Sequence, residues 1–210
     1  MRRTKEEAEQ TRRDIIHAAE VLFLANGVAH TSLEMIAREC GVTRGAVYWH
    51  FQNKAHLFHE MLNEVRMPME ELNARLCGCQ GRDPLISLRD LSIHAIIDLT
   101  QDERNRRIMT ILLHRCEFTD ELREAEERHK AFINEFISLC EKLFEAQSAR
   151  LHSAITPRLA ARSIHATIVG LINDWLRNPT LFDPHSEAQV LVDSIFRGLI
   201  RDWDQLISAE

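Results

Sequence analysis

Residues 31 to 54 read TSLEMIARECGVTRGAVYWHFQNK and predict two short helices joined at a glycine. Helices that cross at a steep angle need a small residue where they meet, a turn residue that accepts a positive φ, and an apolar anchor under the second helix. Ala37, Gly41 and Val47 have the spacing for these three roles. The pattern therefore predicts a helix-turn-helix, which docks its second helix in the major groove of DNA.

Capping residues mark where these two helices begin. Thr31 and Glu34 have the spacing of a capping box, and Thr43 has the position of an N-cap for the second helix. The polar and aromatic side chains around the second helix suit a phosphate-lined groove. We expect DNA contacts from Thr31, Thr43, Arg44, Gly45, Tyr48, Trp49, His50 and Lys54.

The expected contacts differ in kind. We expect Arg44 to reach a base edge or a phosphate, whereas Thr43, Tyr48 and His50 would hold phosphates. Lys54 would place its charge and its helix N-terminus against the DNA backbone. Trp49 has two possible roles, since its ring could pack on the protein or face a sugar and a phosphate.

An Ala, a Gly and a Val at this spacing also occur in helical domains of other functions. The surrounding residues are therefore needed to decide whether this domain binds DNA. GVTRGAVYWHFQNK, preceded by RRTKEEAEQTRRDIIHAAEVLFLANGVAHTSL, closely resembles the DNA-binding domain of the TetR family of bacterial repressors over about residues 3 to 60. The resemblance implies an all-α fold of about nine helices. An N-terminal three-helix helix-turn-helix domain, residues 1–56 and called the head below, would precede a helical ligand-binding and dimerisation domain, residues 57–210.

Composition agrees with a helical protein that acts in the cytoplasm. The chain has 210 residues, 45% of them apolar, with seven glycines and five prolines. Its five cysteines form an odd set with no signal peptide before them, which argues against a secreted disulfide framework. No apolar run has the length of a membrane span, so we expect no membrane partner.

The net charge of −6 is unevenly distributed. Residues 1 to 56 hold 8 Lys and Arg against 7 Asp and Glu, whereas residues 57 to 210 hold 18 against 25. The head is therefore the part of the chain that can approach DNA phosphates without strong repulsion. Arg2, Arg3 and Lys5 could form a basic arm along the DNA backbone, and an ordinary solvated terminus explains them equally well.

Sequence signals divide the chain into helices. The first helix should end at Gly27, and a fourth should run from about Lys54 to Arg75. Asp83 and Pro84 predict a helix start, with helices at about 84–100, 103–115 and 119–150. A helix should open at Thr156 and Pro157 and close near Asn178, and a capping box of Ser186 and Gln189 should open the last helix, which carries apolar residues as far as Leu206.

The last two helices carry more apolar surface than one packing face requires. The apolar residues are Ile164, Ile168, Leu171, Ile172 and Trp175 on one helix, and Val190, Leu191, Ile195, Leu199, Trp203 and Leu206 on the other. Gly170 and Gly198 would permit close approach of helices. We interpret the pair as the interface of a homodimer, although the same residues could complete a monomer core. A two-fold protein predicts a palindromic operator in double-stranded DNA.

Within the family the chain resembles the AcrR and TtgR branch, repressors of multidrug efflux operons, through RRTKEEA, TRRDII and DERNRRIMTILLHRCEFTDEL. The resemblance implies release from DNA when a lipophilic small molecule enters a helical pocket. Expected ligand-binding residues are Leu88, Leu91, Ser92, Ala95, Met109, Leu113, Ile133, Phe136, Cys140, His165, Ile168, Val169, Ile172 and Asn173. Each apolar residue in this set could equally be part of a filled protein core. Met109, Leu113 and Val169 are apolar where a TtgR-like pocket is polar, which predicts a more lipophilic ligand.

Three alternatives remain open. Cys77 and Cys79 lie in a predicted loop and could sense thiol oxidation. His56 and His59 have the spacing of a metal pair, but no third ligand or general base accompanies them, so we expect neither a metal, a cofactor nor an enzyme. The same fold could also regulate a metabolic or lipid-responsive operon.

Overall fold

The computed structural model describes residues 5–65, 72, 75–76 and 82–209. These residues form ten α-helices and no strand, with two short 3-10 turns, so the predicted all-α fold is confirmed. No helix in these ranges is long and apolar enough to cross a bilayer. In chain order the helices are α1 Lys5–Asn26, α2 Leu33–Glu39, α3 Arg44–His50, α4 Lys54–Asn63, α5 Pro84–Gln101, α6 Glu103–His114, α7 Arg123–Ala146, α8 Pro157–Arg177, α9 Pro184–Leu199 and α10 Trp203–Ser208.

Several helices start where their caps predict. Thr43 caps α3 by accepting a hydrogen bond from the backbone N–H of Ala46 at 3.2 Å. Asp83 caps α5 and Thr156 caps α8, each followed by a proline at the first helical position. A proline there costs nothing because that N–H has no partner within the helix. The 3-10 turns, Asp120–Leu122 and Ser148–Arg150, flank α7.

Other helix bounds differ from the prediction. Helix α9 opens at Asp183 and Pro184, so the predicted capping box of Ser186 and Gln189 is wrong. The side chain of Asp183 accepts from the N–H of His185, and the Glu187 carboxylate accepts from the N–H of Asp183. Helix α4 ends at Asn63, and much of the stretch up to Arg75 lies outside the described residues.

The chain divides into two compact units. The N-terminal unit comprises the described residues up to 65 together with Arg104–Ala131, and the C-terminal unit comprises the rest. Residues 57–65 and Arg104–Ala131 thus pack with the head, although the predicted division assigns them to the ligand-binding domain. The functional division at residue 56 stays a prediction, because compactness does not show which residues bind a ligand.

The N-terminal unit has one apolar core that spans the head and α6. Ile15, Ile16, Ala19 and Phe23 of α1 are fully buried. The cluster extends to residues on α2, α3, α4, α6 and the following turn, including Ile36, Val47, Leu57, Phe58, Met61, Ile108, Ile111 and Leu122. Helix α6 is therefore a structural part of the DNA-binding half.

The C-terminal unit is built on α5, which packs against α8 and α9. Its buried apolar residues include Leu85, Leu88, Ile96, Phe144, Ile164, Trp175, Val192 and Phe196. A charged pair crosses this packing: Arg89 of α5 donates two hydrogen bonds to the Asp193 carboxylate of α9, at 2.6 and 2.9 Å. Both side chains are largely buried, with 14% and 10% exposed.

The predicted last helix is interrupted after Leu199. Leu151 and Ile200 form an isolated antiparallel bridge, in which Arg201 N–H donates to the carbonyl of Arg150 at 2.9 Å. This pairing takes the chain out of the helix before α10 begins. Trp203 is 1% exposed and stacks on Phe196 with ring centroids 4.7 Å apart, so it belongs to the monomer core.

The Arg89–Asp193 pair generates a stability prediction. Arg89→Ala leaves a buried carboxylate without its cation, which we expect to cost about 3 kcal/mol in the free energy of unfolding. Urea denaturation at fixed protein concentration measures the change. Arg197→Ala on α9 is the control, because the Arg197–Asp204 pair is 50% and 67% exposed and should matter little. Equal midpoint shifts for both variants would contradict the role assigned to burial.

Candidate nucleic-acid interface

The helix-turn-helix has the predicted geometry. Ala37 is 4% exposed and Val47 is fully buried where α2 meets α3. Gly41 has φ +68°, a conformation that glycine adopts without strain, and Val42 N–H then donates to the carbonyl of Ala37 at 2.9 Å. These contacts fix α3 against α2 and leave its opposite face open to solvent.

The open face of α3 carries most of the predicted DNA contacts. Thr43, Arg44, Gly45, Tyr48 and Trp49 are exposed, the last with 73% of its surface free, while His50 is half-buried. The ring of Trp49 therefore does not pack on the protein interior. Its edge-to-face contact with the His50 ring, at 4.5 Å between centroids, holds it outward.

Arg44 and Tyr48 form a pair on this face. The Arg44 guanidinium lies 5.4 Å from the centroid of the Tyr48 ring and donates to its hydroxyl at 3.4 Å. This hydrogen bond raises the pKa of Arg44, a side chain that is positively charged at any physiological pH. A cation held over a tyrosine ring is presented as a unit to an approaching base edge or phosphate.

Thr31 has a different role from the one predicted. Its side chain is buried, and its hydroxyl donates to the carbonyl of Gly27 at 2.9 Å. The N-cap of α2 is Ser32, which accepts from the N–H of Met35 at 3.2 Å, so the capping box starting at Thr31 is wrong. The Thr31 hydroxyl is committed to the backbone and is not exposed for the predicted DNA contact.

Lys54 is also buried, with 4% of its side chain exposed. Its Nζ donates to the carbonyls of Val28 and Thr31, each at 3.0 Å, and lies 2.7 Å from the Glu121 carboxylate. Its charge is thus not free at the protein surface, and its contact with the DNA backbone stays a prediction. The N-cap of α4 is Asn53, which accepts from His56 N–H at 2.7 Å.

A cleft of about 370 Å³ lies beside the exposed face of α3. Sequence reasoning missed several of its residues, because they come from a loop, a cap and a distant turn. The cleft is lined by Ala29, His30, Thr31, Ser32, Leu33, Glu34, Arg44, Tyr48, Asn53, Lys54 and Glu121. It combines hydroxyl, amide and cationic groups with two carboxylates, next to the helix expected to enter the groove.

A charge network fixes α1, α4 and α6 to each other within the N-terminal unit. Glu20 has no exposed side-chain surface, and its carboxylate accepts from Arg104 at 2.7 Å, with Arg107 at 3.4 Å. Arg104 also donates to Glu64 at 2.5 Å. Because a buried carboxylate requires such partners, these arginines hold α6 against the helices of the head.

The predicted ligand residues are divided between the two units. Met109 packs, partly buried, on the core of the N-terminal unit, and Leu113 on the same helix is half-buried. The others belong to the C-terminal unit. Of these, Leu88, Ser92, Cys140 and Ile172 are buried, Ala95 is exposed, and Leu91, Ile133, Phe136, His165, Ile168, Val169 and Asn173 are half-buried.

Within the C-terminal unit, the half-buried group includes a ring contact between helices. The Phe136 ring on α7 lies 6.0 Å from the His165 ring on α8. Burial, with a smaller effect from the charge of Arg162, lowers the pKa of His165, so its imidazole is neutral at physiological pH. The Ser92 hydroxyl donates to the carbonyl of Leu88 at 2.7 Å, which leaves it an acceptor. The polar groups of Ser92 and His165 are thus both uncharged.

The cysteines and histidines of the alternative hypotheses have ordinary surroundings where they are described. Burial raises the pKa of Cys116 and that of Cys140 to about 12 and raises that of Cys40, so these thiols stay protonated. Cys77 and Cys79 lie outside the described residues. His56 accepts from Gln52 N–H and His59 lies 3.1 Å from the Asn63 amide; the described ranges hold no three-ligand metal group around either.

Comparison with known families identifies the chain. Residues 15–61 match the bacterial regulatory proteins of the tetR family, and residues 83–200 match the C-terminal region of MAATS-type transcriptional repressors. The chain belongs to the TetR family. It is accordingly a DNA-binding transcriptional regulator of the kind that acts as a dimer, and its family consists of regulators, not enzymes.

Three relatives show which members of the TetR family this chain is similar to. The HTH-type transcriptional regulator TtgR of Pseudomonas putida is 39% identical over 92% of this chain and 93% of its own. The crystal structure of NalD, the secondary repressor of the MexAB-OprM multidrug efflux pump in Pseudomonas aeruginosa, is 60% identical with a TM-score of 0.90, covering 95% of this chain and all of that one. A SmeT–triclosan complex is 33% identical with a TM-score of 0.80, covering 92% and 93%.

Gly45 provides a test of the TetR-family interface. A Cβ at this position would meet the Thr43 hydroxyl oxygen at an ordinary 3.8 Å, so the protein itself has room for alanine. A methyl group forced into a tight docked surface costs about 1 to 3 kcal/mol. We therefore expect Gly45→Ala to leave the melting temperature unchanged or slightly raised and to weaken operator binding about ten-fold.

Gly41→Ala is the matched control for this experiment. Its positive φ strains any other residue, so we expect a lower melting temperature in that variant. Thermal unfolding and fluorescence anisotropy on labelled duplex measure the two effects. An unchanged affinity for Gly45→Ala would show that DNA does not approach this part of α3.

Proposed function

We propose that this protein represses the operon of a multidrug efflux pump and releases its operator when a lipophilic compound binds. The observation that carries the proposal is the 60% identity to NalD over 95% of this chain and all of that one. The match includes the C-terminal unit, which is the half of the protein that would distinguish effectors. Its place of action would be the cytoplasm, where the operator lies.

The open face of α3 supports the DNA-binding part of the proposal. Arg44 and Tyr48 are exposed as a pair, and Trp49 presents its ring and its indole N–H to solvent. Two adjacent exposed aromatic residues form a contiguous patch of the kind that marks an interaction site. We assign Arg44 to a base edge or phosphate, and Thr43, Tyr48, Trp49 and His50 to phosphates and sugars.

The half-buried residues of the C-terminal unit support a lipophilic effector. Leu91, Ile133, Phe136, Ile168 and Val169 are apolar and incompletely covered. His165 adds a neutral ring with a hydrogen-bonding nitrogen, since its pKa is lowered by burial. A ligand held by such groups gains affinity from its apolar surface and little from charge. SmeT, a relative with a similar fold, is known in complex with triclosan, a compound of this chemistry.

A homodimer through α8 and α9 would bring two heads to one operator. Leu159 and Val190 are 47% and 64% exposed on these helices. Gly170 and Gly198 have open space where a Cβ would be, which allows another helix to approach closely. Each bidentate base contact contributes about 1 to 3 kcal/mol of discrimination, so two heads are needed to select a site. The operator would be palindromic, with half-sites about 34 to 36 Å apart or at a longer multiple-turn spacing.

The proposal is tested on the DNA upstream of the protein's own gene. In a gel-shift assay with that intergenic fragment, we expect a retarded complex for the wild-type protein and a much weaker one for Arg44→Ala. Triclosan should dissociate the protein–DNA complex, whereas a charged small molecule such as citrate should not. A wild-type complex that forms but resists a panel of lipophilic drugs would contradict the efflux assignment and favour a metabolic effector.

The dimer has its own test. Val190→Glu places a charge on the exposed apolar face of α9, which we expect to dissociate the dimer and to abolish specific operator binding. Sedimentation equilibrium measures the mass, and the gel-shift assay measures binding. Val21→Glu, at another exposed valine on α1, makes the same substitution outside the proposed interface and should stay dimeric. If Val190→Glu also remains dimeric, α9 is not the interface.

A further inference from the structure

The buried ammonium of Lys54 has three partners within 3.0 Å, of two kinds. Two are backbone carbonyls, those of Val28 and Thr31 at 3.0 Å, while the carbonyl of Ala29 lies further off at 3.4 Å. The third is the Glu121 carboxylate at 2.7 Å. An ammonium group has three N–H donors, so two are fixed on the backbone of the head and one is used on an anion.

The anion is much more accessible than the cation. The side chain of Glu121 is 59% exposed, against 4% for Lys54, and both line the cleft that also contains Arg44 and Tyr48. Glu121 lies on the 3-10 turn Asp120–Leu122, which is anchored because Leu122 is fully buried in the core of the N-terminal unit. A carboxylate thus occupies the one anion position of a buried ammonium, on the side that faces the expected DNA surface.

We propose that Glu121 holds the position of an operator phosphate, so that Lys54 exchanges the carboxylate for a phosphodiester oxygen when the head docks. The inference rests on the proposed function, since it requires operator binding. The exchange leaves both carbonyl hydrogen bonds of Lys54 in place, and the ammonium stays inside. Only its accessible partner changes, so the buried charge is paired both before and after docking.

Glu121 is then an internal competitor that lowers the affinity for DNA. It neutralises Lys54 in the free protein, and it must be displaced against its own attraction to the ammonium. Glu121 belongs to the turn that follows α6, and Lys54 opens α4. Any displacement of that turn relative to α4 changes how strongly the carboxylate competes. Through the Lys54–Glu121 pair, movement of α6 therefore alters the affinity for DNA.

The test is Glu121→Gln in the full-length protein, with the labelled intergenic duplex upstream of its own gene. Removing the carboxylate frees Lys54 of its competitor and takes away a negative charge that would be repelled by the DNA, so the salt dependence of log K should steepen. We expect binding about five- to ten-fold tighter at 0.1 M salt, with the difference disappearing as salt approaches 1 M. Melting temperature confirms that the variant is folded.

Asp120→Asn is the matched control, because it makes the same charge change one residue away. The Asp120 side chain is 95% exposed, pairs with Arg123 and does not line the cleft. We expect its affinity and salt slope to equal those of the wild type. An unchanged or weaker affinity for Glu121→Gln, or an equal gain for Asp120→Asn, would overturn the inference. A wild-type protein that binds no duplex would instead overturn the proposed function and the inference with it.

Discussion

The structure of the N-terminal unit depends on burying the Glu20 carboxylate. This side chain has no exposed surface, so it is tolerable only while Arg104 and Arg107 lie against it. Arg104 is shared with Glu64, and Arg12 reaches Glu60 at 2.5 Å and stacks on Phe51 at 5.6 Å. One buried charge thus determines how α1, α4 and α6 are placed, and through them how α3 is presented.

This arrangement makes α6 a part of the DNA-binding machinery. Ile108 and Ile111 fill the same apolar core as Phe23 and Phe58, and Val28 N–H donates to the carbonyl of Arg115 at 2.9 Å. A rigid packing of this kind does not deform gradually, since small shifts break a set of contacts together. If Met109 and Leu113 contact an effector as predicted, that effector acts directly on the helix that holds the head. The necessary coupling is about 1 to 3 kcal/mol.

Local signals in the sequence predicted the fold better than they predicted the cleft. Gly41, Thr43 and the Asp83–Pro84 step act within one turn of the chain, so their outcome follows from their neighbours alone. Asp183 and Pro184 carry the same signal and open α9, three residues before the capping-box pattern of Ser186 and Gln189. The choice between Thr31 and Ser32 failed for a related reason: two adjacent hydroxyls can each cap a helix, and the core decides which one is buried.

The burial of Lys54 could not be predicted in that way. Its partners come from a loop more than twenty residues earlier and from Glu121, far along the chain, which only tertiary packing brings together. The sequence pattern ends in a lysine beside a recognition helix, which favours a surface cation in contact with phosphate. The ligand residues show the same limit, since helical spacing marks an apolar face without saying whether another helix or a cavity covers it.

The charge of the head explains why a small deformation could release it. Residues 1 to 56 carry nearly balanced charge, and the cleft beside α3 contains Glu34 and Glu121 as well as cations. A strongly basic head would hold any duplex through its phosphates, whatever the distance between the two halves of a dimer. A nearly neutral head gains little from phosphates alone and depends on simultaneous fit in two grooves. The affinity of such a protein is therefore sensitive to the spacing of its heads, which is the property that an effector has to change.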